Sequence, residues 1–389
     1  MWKTTASCLS AALLGYVTLI ILLLTLNPFY VSLPQELRVS WTTTLSDALS
    51  NILLFLPIGF LYRLTGGNFR GALLTGAGVS LSIEIIQLFI PARTSSVPDL
   101  VCNSLGAMLG ALLHAAAARR MAVTAGMVGR LQLETPLMGL VYLWLPLLWV
   151  HGLALEEVPA RWPLTALIGI CGAIVFAELW RQWLGPRTFS SMGYAALTTG
   201  SWFLLGASLS GLRAVPIILI GFASAVLSAF LTLLPHRKGD RRFEVATLRR
   251  MLPFFAFYLF LSAIPIPFES IEGWHGMFGF TIQLSDTSVQ RLYPRLEYLT
   301  AFTALGYLTA EWRGRSELAP SQDLPRVLIL SAVSAIFLEF MAGFQAASGA
   351  SLIRAILATV SALIGGMIYH LLRDHIRYLL GRYSTGSLL

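Results

Sequence analysis

Long apolar stretches separated by short polar segments run along the whole chain. Many of them reach the roughly 17 to 25 residues that an α-helix needs to cross a hydrocarbon layer about 30 Å thick. We predict membrane-spanning helices at residues 8–30, 45–64, 70–90, 98–117, 136–154, 163–182, 192–210, 214–234, 250–267, 296–312, 326–345 and 351–372. The pattern therefore predicts an all-α fold, a polytopic transmembrane helix bundle of about twelve helices.

Composition agrees with this prediction and leaves no room for a large soluble domain. Hydrophobic residues make up 56% of the chain and charged residues 12%, which is about half the charged share of soluble domains. Most of the 27 Lys and Arg residues fall in every second segment between helices, beginning with the N-terminal segment. By the positive-inside rule, we expect a multi-pass protein of the cell inner (cytoplasmic) membrane with both termini in the cytoplasm.

The net charge of +8 needs no nucleic-acid partner. Its densest part, the basic run at residues 236–242, could mark a nucleic-acid or anionic-lipid patch. Such a run is more often the topology signal of a cytoplasmic loop. We therefore predict membrane lipids, and no nucleic acid, as partners.

Polar residues concentrate in one part of this apolar chain, between residues 47 and 110. The set comprises Asp47, Asn51, Ser80, Glu84, Gln87, Arg93, Asp99 and Asn103, and it is followed by Gly106 and Gly110. Because each polar group in hydrocarbon is costly, such residues normally face the interior of a bundle and mark a site. We predict that function resides here.

The spacing of these residues places them on shared helix faces. Residues 47 and 51 are one helical turn apart, as are 80 and 84 on the next helix and 99 and 103 on the one after it. Gln87 continues the stripe of the third helix, and Arg93 lies in the loop that follows it. Small residues beneath the polar ones let helix backbones approach closely. We expect a shallow polar pocket that opens outward.

Structural explanations compete with this functional one. The segment Ser96-Val97-Pro98-Asp99 is typical of a helix N-terminus, so that Asp99 could act only as a cap. Glu84 and Arg93 could be an ion pair that locks the loop. Asn51 and Asn103 could be hydrogen-bonding contacts between helices.

The two ends of the chain also resemble each other. Residues 27–30 resemble 266–269, 56–61 resemble 303–308, 105–110 resemble 360–365, and Glu84 aligns with Glu339. We predict parallel four-helix repeats of the kind that some transporters have. The chain would then consist of a four-helix repeat at residues 1–118, which carries the polar set, and a middle transmembrane region at 119–249 with a possible weak repeat. A degenerate four-helix repeat with a cytoplasmic tail would follow at 250–389.

The polar set resembles the motif of the VanZ-like family over about residues 20–115. The resemblance is carried by Asp47, Asn51, Phe55-Leu56-Pro57-Ile58-Gly59, Glu84-Ile85-Ile86-Gln87, Arg93, Asp99-Leu100-Val101-Cys102-Asn103, Gly106 and Gly110. It implies an integral membrane protein of the bacterial cell envelope, and the family is named after a protein encoded with glycopeptide-resistance genes. In the C-terminal copy, the positions of Asp47, Asn51, Asp99 and Asn103 hold Pro294, Tyr298, Arg354 and Ala358. Any activity of the motif is therefore expected in the first copy alone.

Two classes of function fit these residues. The first is a protein that binds or handles an envelope lipid, glycan or peptide group, with substrate-binding residues Asp47, Asn51, Glu84, Gln87, Arg93, Asp99 and Asn103. The second is a membrane-embedded enzyme acting on a lipid-linked envelope substrate, with Glu84 or Asp99 as general acid or base and Arg93 on a phosphate. Because the polar set contains no His, no Cys and no paired nucleophile and base, we prefer binding, with no metal or cofactor.

Overall fold

The computed structural model describes residues 3–26, 32–33, 38–91, 93–120, 125–157, 159–184, 188–207, 215–234, 243–263, 273–277, 289–313, 318–345 and 349–385. These residues form twelve α-helices: α1 Lys3–Thr25, α2 Leu45–Leu64, α3 Phe69–Gln87, α4 Val97–Arg120, α5 Ala125–Glu157, α6 Trp162–Leu184, α7 Phe189–Ala207, α8 Val215–Leu231, α9 Phe243–Ala263, α10 Val289–Arg313, α11 Pro320–Ala342 and α12 Leu352–Thr385. Each predicted span has a helical counterpart, so the all-α fold class is confirmed. The segments 27–30, 236–242 and 266–269 lie outside the described residues.

Nine of the helices in the described part of the chain are long and apolar enough to cross a membrane. Of the other three, α8 is apolar but shorter, at 17 residues. Helix α10 is less apolar because it contains Arg291, Arg295 and Glu297 near its start. The helices thus support a multi-pass membrane protein.

The chain divides into two compact units. Unit 1 contains Met1–Gly129, Thr287–Leu292 and Asp374–Leu389, and unit 2 contains Arg130–Asp286 and Tyr293–Arg373. The predicted division at residues 118 and 249 stays a prediction.

In unit 1, α2 and α4 pack with their backbones in contact. A Cβ atom built on Gly59 of α2 would overlap the carbonyl of Ala107 on α4. In the opposite direction, a Cβ on Gly106 would overlap the carbonyl of Ile52, and one on Gly110 that of Leu56. Glycine is required at these positions because any side chain would push the two helices apart.

Two short strands close one end of unit 1. Strand β1 Val39–Ser40 precedes α2, strand β2 Ser95–Ser96 precedes α4, and the two pair in parallel. At the same end, the Gln87 side-chain amide donates to the Thr25 carbonyl at the end of α1, over 2.9 Å. The ends of α1 and α3 and the starts of α2 and α4 therefore lie together. We call this region the β1–β2 end of unit 1.

Unit 2 contains a second pair of strands in a comparable setting. Strand β3 Gly276–Met277 pairs in parallel with β4 Ala350–Ser351, which precedes α12. A Cβ on Gly306 of α10 would overlap the carbonyl of Ala362 on α12, as Gly59 does with Ala107 in unit 1. Elsewhere in unit 2, α6 packs against α7, α8 and α9. These shared local contacts agree with the predicted repeat, which itself stays a prediction.

Candidate functional site

Glu84 lies at the centre of the β1–β2 end of unit 1. It stands on the last turn of α3 and is only 7% exposed. Its Oε2 accepts hydrogen bonds from the backbone N–H of Ser96, over 2.6 Å, and from the Ser95 hydroxyl, over 3.1 Å. Both donors belong to β2. The carboxylate of α3 therefore holds the segment from which α4 begins.

Asp99 stands on the first turn of α4 and interacts with α2. Its backbone N–H donates to the Ser96 hydroxyl over 3.3 Å, which is the capping contact that the sequence predicts. Its carboxylate accepts hydrogen bonds from the side chains of Ser96 and Asn51, and it interacts electrostatically with Asp47. Asp99 is thus part of a helix cap and, at the same time, of a contact with the polar residues of α2.

Asp47 is the most exposed member of the set on α2. The Thr44 hydroxyl caps α2 by accepting from the Asp47 N–H and donates in turn to the Asp47 carboxylate over 2.6 Å. The side chain is exposed rather than buried. Asp47 therefore extends the acidic region from the buried Glu84 to the surface of the unit.

Asn103 lies one helical turn below Asp99 on the same face of α4. Its side-chain N–H donates to the hydroxyl of Ser80 on α3 over 2.9 Å, and both residues are buried. Its carbonyl oxygen Oδ1 is buried without a hydrogen-bond partner among the described residues. A buried acceptor left unsatisfied is costly. Asn103 is thus both a contact between helices and a source of unused hydrogen-bonding capacity.

Gln87 and Arg93 face a different neighbour. The Gln87 amide donates to Thr25, and the Arg93 guanidinium donates to the Leu24 carbonyl over 3.5 Å. Both contacts join the α3–α4 connection to the end of α1. The structure therefore brings Asp47, Asn51, Glu84, Asp99 and Asn103 together across α2, α3 and α4, while the side chains of Gln87 and Arg93 donate to carbonyls of α1.

The chemistry of this end is acidic. Glu84 and Asp99 interact electrostatically, and Asp99 does so with Asp47 as well. Among the described residues of this end, the three carboxylates outnumber the two guanidinium groups, those of Arg93 and of the exposed Arg38 beside β1. Among the described residues, no group of three or more His, Cys, Asp or Glu side chains is arranged to hold a metal ion. The region offers carboxylates and amides, which suit a hydrogen-bonding, positively charged or hydroxyl-rich group.

Unit 2 contains a buried polar network that sequence reasoning missed. Glu297 of α10 is fully buried, and its two carboxylate oxygens contact three side chains. Arg161 donates to Oε2 over 2.7 Å, Tyr258 donates to Oε1 over 2.6 Å, and His151 Nδ1 lies 2.9 Å from Oε1. The other ring nitrogen of His151 lies 2.6 Å from the Thr165 hydroxyl. The signal available in the sequence was an acid and a histidine inside apolar stretches.

A second buried acid in unit 2 has an obvious partner. Glu339 of α11 receives Arg354 of α12 in a two-pronged ion pair, with Nε to Oε1 and Nη2 to Oε2 both at 2.6 Å. The backbone N–H of Ser351 also donates to Oε2, over 2.9 Å. Glu339 therefore has a bonded cation within unit 2.

Fold and site together define a polytopic, all-helical membrane protein with an acidic polar layer at one end of its first unit. A family model described as VanZ/LLP1 matches residues 9–118. This region of the chain is VanZ-like, which confirms the resemblance read from the motif. Among the curated proteins and the solved structures, no match to the chain was found.

Proposed function

We propose that the β1–β2 end of unit 1 binds or handles a polar group of an envelope molecule, such as a lipid headgroup, a glycan or a peptide. The observation that carries this proposal is the convergence of three carboxylates and two amides from α2, α3 and α4 within the VanZ-like region. Polar residues in membrane helices are costly to maintain and are typical of ligand sites.

A comparison with unit 2 supports a ligand over a purely architectural role. The close helix contact of Gly59 with Ala107 has a counterpart in Gly306 and Ala362. Yet the residues aligned with Asp47, Asn51 and Asn103 are Pro294, Tyr298 and Ala358. Because the same local packing forms without these polar side chains, packing alone does not account for them.

The proposal includes a location. The distribution of Lys and Arg favours the cell inner membrane, with both termini in the cytoplasm and the β1–β2 end facing outward. An outward-facing layer would meet envelope molecules directly. The residues assigned to binding are those predicted from the sequence, Asp47, Asn51, Glu84, Gln87, Arg93, Asp99 and Asn103, of which Gln87 and Arg93 also contact the end of α1.

The test is a set of single alanine variants at Glu84, Arg93 and Asp99, expressed from the native locus. Membrane abundance and an envelope phenotype, such as sensitivity to glycopeptides or detergents, are measured in parallel. We expect abundance near that of the wild type and loss of the phenotype. Asp374→Asn, on α12, is the matched control because it removes one negative charge outside the layer and should leave both readouts unchanged.

The contrary result is equally clear. If the three alanine variants accumulate normally and keep the phenotype of the wild type, these polar residues have only a structural role and the proposal is wrong.

Lipid extracts from a deletion strain separate binding from catalysis. The loss of a modified lipid would favour an enzyme, whereas unchanged lipids with an altered cell surface would favour binding.

A further inference from the structure

The β1–β2 end of unit 1 and the corresponding end of unit 2 have the same hydrogen-bonding frame. In both, a glutamate near the end of one helix accepts from the backbone N–H of a serine, Ser96 for Glu84 and Ser351 for Glu339. In both, that serine's hydroxyl accepts the N–H of the residue three positions later, over 3.3 Å and 3.4 Å. These two frames therefore define equivalent positions.

At one equivalent position the two units carry opposite charges. Unit 2 has Arg354, and unit 1 has Asp99. The guanidinium of Arg354 occupies both oxygens of Glu339, and it also donates to the Gly349 carbonyl over 2.9 Å. Unit 2 thus satisfies its buried carboxylate with a cation from its own chain.

In unit 1, the described residues donate to only one of the two carboxylate oxygens of Glu84. The hydrogen bonds that Glu84 receives from described residues both end on Oε2, which is the oxygen used by the serine in unit 2. In unit 2, Oε1 of Glu339 accepts a hydrogen bond from Nε of Arg354. The equivalent atom in unit 1 is Oε1 of Glu84. Asp99 adds a second carboxylate there instead of a guanidinium, and the two acids interact unfavourably.

A second feature lies close by, on the same face of α4 as Asp99. Asn103, one turn below Asp99, is 4% exposed, and its Oδ1 has no hydrogen-bond partner among the described residues. Both an unsatisfied acceptor and an excess of carboxylates would be stabilised by the same kind of ligand, a cation that carries N–H donors. Even with Arg93 and the exposed Arg38 beside β1 counted, the three carboxylates outnumber the guanidinium groups among the described residues of this end.

We propose that unit 1 binds an ammonium or guanidinium group between Glu84 and Asp99, in the place that Arg354 fills in unit 2. This inference rests on the proposed binding function and names its ligand class. Such a group could come from an amine-bearing lipid headgroup or from an amine on an envelope peptide or glycan. The N–H donors matter as much as the charge, because the acceptors are oxygens at fixed positions.

The test uses full-length protein in phosphatidylcholine nanodiscs. The probes are small organic cations, each with a single positive charge. Butylguanidinium and butylammonium carry N–H donors, and tetramethylammonium carries none. Binding is measured by titration with saturation-transfer NMR. We expect the first two probes to bind and tetramethylammonium to bind at least about tenfold more weakly, because charge-assisted hydrogen bonds are lost. Equal binding of all three probes would overturn the proposal.

Three variants locate the site. Glu84→Gln should weaken butylguanidinium by about tenfold or more. Asp99→Arg copies unit 2, so it should abolish probe binding while the protein unfolds at a temperature no lower than that of the wild type. Asp374→Asn should bind like the wild type. Unchanged affinity in both Glu84→Gln and Asp99→Arg would show that the probes bind elsewhere and that the proposal is wrong.

The proposed function and the proposed ligand class are contradicted by different results. If alanine variants lose the envelope phenotype but no probe binds the wild type, the site has another ligand class and only this inference is wrong. If probes bind as expected but the phenotype persists in the variants, the proposed function is wrong.

The source of the amine is tested by measuring butylammonium binding in nanodiscs that contain phosphatidylethanolamine. Weaker binding there indicates competition by a lipid headgroup, and unchanged binding indicates a lipid-free amine.

Discussion

At the scale of single residues, the buried carboxylate of Glu297 is a position in unit 2 where we expect a substitution to lower stability. Its removal leaves the guanidinium of Arg161 buried and without its bonded anion. Breaking a buried ion pair in this way costs about 3 to 5 kcal/mol. We therefore expect Glu297→Ala to lower the thermal unfolding temperature of the detergent-solubilised protein markedly, measured by intrinsic tryptophan fluorescence.

The partner residue supplies the control at the same scale. In Glu297→Ala combined with Arg161→Leu, the orphaned charge is gone, so stability should recover in part. A second control is Thr165→Val, which removes only the hydroxyl 2.6 Å from His151 and should cost less. Equal unfolding temperatures for Glu297→Ala and the wild type would contradict the assigned network.

At the scale of helices, close backbone contact between α2 and α4 determines what is tolerated. Gly59→Ala places a methyl group on the Ala107 carbonyl, so we expect a loss of about 1 to 3 kcal/mol from overpacking. Gly78→Ala on α3 meets no atom within 4 Å and should be neutral or slightly stabilising, since alanine favours helix. Unfolding temperatures of the two variants check this. Equal effects would show that α2 and α4 do not touch there.

The sequence predicts helices better than it predicts their contacts. The apolar pattern places α2 at residues 45–64, as observed, and the segment before Asp99 correctly predicts where α4 begins. These are local signals, encoded within a few turns. The contact between His151 and Glu297 joins residues 146 positions apart, and it depends on which helix faces meet. The single sequence contains no signal for that meeting, so the network was missed.

The same limit applies to the candidate site. Helical spacing correctly groups Glu84 with Ser80, and Asp99 with Asn103, because one turn separates the members of each pair. Spacing does not reveal that Glu84 accepts from β2 or that Arg93 donates to Leu24. Those choices arise in the loops between helices, where the chain direction is set by contacts rather than by periodicity.

At the scale of the whole molecule, the charge pattern predicts which side of the membrane each connection occupies. Thr42, before α2, is exposed at the β1–β2 end, and Phe69 begins α3 at the opposite end of α2. The chain's three cysteines, Cys8, Cys102 and Cys171, can be replaced by alanine to give a silent background. A cysteine at residue 42 should then react with a membrane-impermeant maleimide in intact cells.

A cysteine at residue 69, at the opposite end of α2, tests the other side of the membrane. In Phe69→Cys, the thiol should stay unlabelled in intact cells and react only after the membrane is permeabilised, because Arg63 and Arg70 mark that connection as cytoplasmic. The reverse labelling pattern would place the acidic layer in the cytoplasm. An envelope ligand could then not reach Glu84 and Asp99 directly, so orientation decides whether the polar layer meets the molecules that its chemistry suits.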